Sequence, residues 1–136
     1  MKKLFLIAAV ILMAGFANGQ TLQKGSFFGF HVLTIKLDPN VTLNQFLDFY
    51  KTKMVPAYEK NYQGNCYLVK GIRGESEGCY GMIAVWKTEA DRNKFFKEDG
   101  SDSDLGKAVE ETMKPVYDEL AKLGIVTSKY TDWLVQ

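Results

Sequence analysis

An α+β fold, with a four-stranded antiparallel sheet and helices on one face, is predicted by three observations. Runs rich in aromatic and β-branched residues occur at 27–37, 65–73, 79–87 and 127–135 and read as strands. Apolar residues recur at helical spacing between the first and second runs and again between the third and fourth. The middle two runs are separated only by Gly74-Glu75-Ser76-Glu77-Gly78, a five-residue loop with glycine at both ends, which makes them a hairpin.

The elements follow in order. Lys2 and Lys3 precede the apolar run Leu4 to Ala17, and Ala17 and Gly19 stand three and one residues before Gln20, the layout of a cleaved export signal over residues 1–19. Read as a membrane helix, that run would reach only about 21 Å at about 1.5 Å per residue, short of a hydrocarbon core of roughly 30 Å. No cysteine lies near the cleavage point to carry a lipid, so residues 20–136 are expected to be one soluble domain, periplasmic or secreted. The first strand, 27–37, ends at the turn cluster Asp38-Pro39-Asn40. Thr42 and Gln45 form a capping box ahead of Leu43, Phe46, Leu47, Tyr50, Met54 and Tyr58, so a helix starts at Leu43. Pro56 has no N–H to donate and predicts a kink or break before Gly64. After the hairpin, Thr88 with Asp91 caps a short helix through Phe95 and Phe96. A polar loop at 98–104 leads to a longer helix whose stripe is Leu105, Ala108, Val109, Met113, Val116, Tyr117, Leu120 and Leu123, kinked at Pro115 and stopped by Gly124. The last strand is 127–135. With right-handed crossovers this βαββαβ order is the ferredoxin-like arrangement.

Composition narrows the function classes. Without Lys2 and Lys3, fifteen Lys plus Arg face sixteen Asp plus Glu, a net charge of −1. Near neutrality argues against a nucleic-acid footprint or an electrostatic membrane patch. Two cysteines in an exported chain suggest a disulfide. However, a hairpin folded about Ser76 sets Cys66 opposite Trp86 and Cys79 opposite Arg73, about 23 Å apart at about 3.3 Å per residue, whereas a bridge needs Cα atoms within about 7 Å. Two free, largely buried thiols are expected.

Alternate residues of a strand face opposite sides, and in the hairpin both sides are apolar. Tyr67, Val69, Cys79, Ile83 and Val85 share one face; Cys66, Leu68, Ile72, Tyr80, Met82, Ala84 and Trp86 share the other, interrupted only by Lys70. The first strand divides alike, with His31, Leu33, Ile35 and Leu37 on one side and Phe28, Phe30 and Val32 on the other. Helices on one face leave the second bare, and so large an apolar surface predicts a twofold homodimer joined sheet to sheet.

The stretch Ala84-Val85-Trp86-Lys87-Thr88-Glu89-Ala90-Asp91, continuing to Phe95-Phe96, resembles the third-strand-to-helix junction of dimeric α/β-barrel proteins of the antibiotic biosynthesis monooxygenase type. The helix ending near Pro56, then Gly64 and a strand, is similar to that family's layout. The resemblance implies a dimeric α/β barrel and, in some members, cofactor-independent oxidation of polyaromatic molecules or haem degradation. The haem-degrading branch uses an Asn, Trp, His trio. Here His31 stands at the Asn position and Phe95 at the Trp position, and no histidine follows in 97–136, so haem degradation by that route is not expected.

His31, the only histidine, is the candidate catalytic residue, because imidazole titrates close to neutral pH; a hydrogen-bonded core histidine is the plainer alternative. Trp86, Phe95, Tyr50, Tyr58 and Tyr117 are candidate ligand-binding residues of an apolar pocket between helices and sheet, although core packing accounts for the same spacing. One histidine without Cys, Asp or Glu at ligand spacing predicts no metal site, and no cofactor is implied. Glu98, Asp99, Asp102 and Asp104 lack the alternation of a calcium loop and read as a solvated turn. No phosphate-binding glycine loop or Gly-x-Ser-x-Gly elbow is present. Binding of a small apolar or aromatic molecule is the leading expectation. A non-catalytic interaction module and a thiol redox role for Cys66 and Cys79 are the alternatives.

Overall fold

The computed structural model describes residues 22–136, so the export segment expected at 1–19 lies outside the described residues. Strand β1 (Phe27–Leu37) leads to helix α1 (Leu43–Phe49), a π-helical segment (Tyr50–Met54) and helix α2 (Val55–Tyr62). The hairpin β2 (Asn65–Lys70) and β3 (Tyr80–Trp86) follows, then the short helix α3 (Glu89–Arg92), the long helix α4 (Asp104–Leu123) and strand β4 (Gly124–Leu134). The sheet order is β2-β3-β1-β4 with every pairing antiparallel, which is the ferredoxin-like βαββαβ topology.

Local chemistry explains the element starts. Thr42 Oγ1 accepts from the Gln45 N–H at 3.2 Å while Gln45 Oε1 accepts from the Thr42 N–H at 2.8 Å, closing the capping box. Thr88 and Ser103 cap α3 and α4 through the Asp91 and Gly106 N–H groups. Instead of breaking at Pro56, the chain winds into i→i+5 bonds, with the Val55 N–H donating to the Tyr50 carbonyl. Pro56 then falls in the first turn of α2, where a missing donor costs little. Helix α4 runs continuously through the exposed Pro115. Its buried stripe is narrower than expected: Leu105 is 48 % exposed, and Gly106, Val109 and Met113 are the buried positions.

The hairpin register differs from the symmetrical one by two residues. Cys66 faces Ala84, and the strands end at Lys70 and Tyr80, leaving a nine-residue connection, 71–79. Two turns inside it explain the shift: the Glu77 N–H donates to the Gly74 carbonyl, the Cys79 N–H to the Ser76 carbonyl, and Gly71 bonds to both Gly78 and Cys79. A shift of two keeps every side chain on its face. Cys66, Met82, Ala84 and Trp86 therefore join Phe27 and Leu33 against Phe46, Tyr50, Met54, Tyr58, Tyr62, Val109 and Met113 in the core. The thiols stay free, five strand positions or roughly 16 Å apart at about 3.3 Å each. Cys79, expected to be largely buried, is exposed because it belongs to the loop and not to the strand.

Among the described residues no helix covers the opposite face of the sheet. Phe28 stacks on Trp133 there with ring centroids 6.3 Å apart, and Tyr67, Ile125 and Trp133 are 47 %, 63 % and 52 % exposed.

Candidate ligand cavity

A cavity of about 130 Å³ opens between the helix-facing side of β1 and β4 and the segment that follows β3. Its walls are the rings of Tyr58, Trp86, Phe96 and Tyr130, and its polar groups come from His31, Arg92 and Asp132. Strand register sets the polar end. Gly29 faces Asp132 and His31 faces Tyr130 across the β1–β4 pair, so period two brings all four to one side of the sheet. His31 and Tyr130 stack with centroids 5.2 Å apart, and His31 Nδ1 lies 3.3 Å from Ser128 Oγ.

Arg92 closes the cavity from α3. One of its terminal nitrogens donates to Asp132 Oδ2 at 2.9 Å, and the other to the Phe96 and Lys97 carbonyls at 3.2 and 2.7 Å. The guanidinium also lies 5.9 Å from the Phe27 ring centre and 5.2 Å from that of Phe96. Its side chain is 7 % exposed and that of Asp132 29 %, so this is a largely desolvated pair whose charge is matched on the spot. At the rim, Gly100 has φ +81°, a conformation that favours glycine, and a Cβ there would displace the Tyr130 hydroxyl.

Burial lowers the His31 pKa from its ordinary value, and the Asp132 charge opposes that shift without overcoming it. The imidazole is consequently neutral at pH 7. Burial, with a smaller contribution from Glu59, pushes the Cys66 thiol up to about 12, which removes it from nucleophilic chemistry near neutral pH.

Of the residues singled out in the sequence, His31, Tyr58 and Trp86 border this cavity. Tyr50, Phe95 and Tyr117 do not. Tyr50 is a core side chain whose hydroxyl lies 3.4 Å from Met82 Sδ. Phe95 is fully buried with its ring edge-on to Tyr62 at 5.5 Å. Tyr117 donates to Glu110 Oε1 at 3.3 Å, alongside the Tyr62 hydroxyl at 2.5 Å, and burial is the main cause that raises its pKa to about 12. Sequence reasoning missed Arg92, Phe96, Tyr130 and Asp132. The last two were within reach, since pairing the final strand against the first places them beside His31. Arg92 carried no such signal, because an arginine in a short capped helix looks like a solvated one.

The cavity is more apolar than its neighbour across Trp86. A space of about 250 Å³ on the other side of Trp86 is edged by Lys87, Lys94 and Asp91. Another of about 270 Å³ is an open groove beside Leu33, Leu43 and the hairpin connection. The first adds Tyr62, Trp86 and Phe95 but is mainly polar in its lining, and the second has a single aromatic, Tyr80. Among the described residues no group of three or more His, Cys, Asp or Glu could hold a metal ion, and no helix is long and apolar enough to cross a membrane.

No family model matches the chain, and no curated protein does. Similar solved structures include SnoaB, a cofactor-independent oxygenase from Streptomyces nogalater, and a point mutant of it. They are 14 % and 13 % identical, with TM-scores of 0.47 and 0.48, each covering 82 % of this chain and 94 % of its own. The fold assignment stands on the strand order and register given above.

Proposed function

We propose that the protein, after export, works as a homodimer that binds a small, mainly apolar or aromatic molecule in the cavity beside His31. The observation that carries this reading is the enclosure itself: four aromatic rings around a space of about 130 Å³, with a few polar groups converging at one end. His31 is the residue through which the reading extends to turnover of the kind the family resemblance implies. Its neutral imidazole can take a proton from a bound molecule near pH 7. The test is a screened panel of aromatic compounds against the protein and its His31→Ala variant. Binding and turnover that are unchanged for every compound would remove His31 from the site.

The dimer half of the proposal is supported by the bare sheet face, where Phe28, Tyr67 and Trp133 are left without a helix. Sedimentation at micromolar concentration should show twice the chain mass. That same face favours a second reading, an interaction module whose aromatic surface serves assembly alone. A dimer that binds nothing from the panel selects it.

A further inference from the structure

We infer that the cavity selects a neutral, single-ring aromatic bearing a hydroxyl, a phenol-class ligand, with that hydroxyl seated over Gly29 between Asp132 and His31. The inference rests on the cavity being a ligand site, as proposed above. Size suits a single ring: a cavity of about 150 Å³ accepts benzene, and this one, open on one side, measures about 130 Å³. Polarity sets the substituent. Asp132 binds Arg92 through Oδ2, and among the described residues its Oδ1 takes no hydrogen bond. Gly29, His31 and Asp132 all line the cavity, and because residue 29 lacks a side chain, Asp132 Oδ1 leans over it to within 3.0 Å of where a Cβ would stand, with His31 Nε2 3.6 Å from the same point. A hydroxyl in the cavity, held at van der Waals distance from the Gly29 Cα, can donate to the carboxylate and accept from the imidazole when Ser128 Oγ donates to Nδ1.

Anions are disfavoured by the same arrangement. Arg92 Nη1 is directed to Asn93 and the Phe96 and Lys97 carbonyls and Nη2 to Asp132, so its charge is already matched by a carboxylate beside the cavity. Trp86 Nε1 donates to the Tyr62 carbonyl at 3.2 Å, so this residue offers the ligand only its ring.

Phenol, toluene and benzoate titrated into the protein and followed by NMR of the His31 ring and the Trp86 indole test the inference. Phenol is expected to bind at least tenfold more tightly than either of the others. In Gly29→Ala the new methyl crowds Asp132 Oδ1, and phenol affinity should fall at least tenfold, and by more than that of toluene. Toluene binding as tightly as phenol, benzoate doing so, or Gly29→Ala binding phenol like the wild type overturns the selectivity while the cavity remains a ligand site. Failure of all three compounds to bind removes the ligand site as well.

Discussion

His31 is held by contacts that act on its charge in opposite directions. Burial among Trp86, Tyr130 and the sheet disfavours imidazolium, Asp132 favours it, and burial prevails. The unfolded chain therefore binds a proton more readily than the folded one below about pH 6.5. Stability should decline as pH falls through that value until the folded ring is also protonated, and above it the residue contributes nothing to the pH dependence. His31→Gln should flatten this limb in urea titrations between pH 7 and 5. The limb is separable from the carboxylates: Lys94 and Thr88 depress the Asp91 pKa, and Ser101 that of Asp99, so their influence comes only in the acid range. Arg92→Met tests the pairing. It leaves Asp132 without its cation and frees the Phe96 and Lys97 carbonyls, and it should cost about 3 kcal/mol, toward the low end for a buried pair because Asp132 keeps some water. The thiols give a simple count. In the native protein one thiol per chain, Cys79, should react promptly with a disulfide reagent, and Cys66 only on unfolding.

At the scale of elements, capping is local and so was legible directly. Thr42 and Gln45 are three apart, and their reciprocal bonds need nothing from the rest of the molecule. Thr42→Ala should destabilise the fold by about 1 kcal/mol in chemical denaturation. Pro56 was legible as a perturbation, but its outcome was not. A break, a kink and a switch to i→i+5 bonding all accommodate a missing donor. Here the π-helical turn is accompanied by burial of both Tyr50 and Met54. The hairpin shows the same limit. Its two glycines announce a turn, yet the paired turns at Gly74–Glu77 and Ser76–Cys79 set a register two residues away from the symmetrical one. That difference moved Cys79 into solvent and left the faces of both strands as expected.

For the whole molecule, the uncovered sheet face is where assembly is tested. Trp133→Lys places a charge in the aromatic patch against Phe28; under the proposed assembly the variant should sediment as a monomer and the wild type at twice the chain mass. The order of elements, the side of the sheet each strand residue takes and the helix starts were determined by the sequence alone, because each is written in periodicity or in residues three or four apart. Which residues meet at the cavity was decided only by the tertiary structure. Arg92 and Asp132 are 40 residues apart and find each other because antiparallel pairing of β4 with β1 brings Asp132 over Gly29, while the turn after β3 lays Arg92 on top of it. Local patterns record how a segment prefers to fold; the partner of a buried charge is chosen when the segments come together and its water is removed.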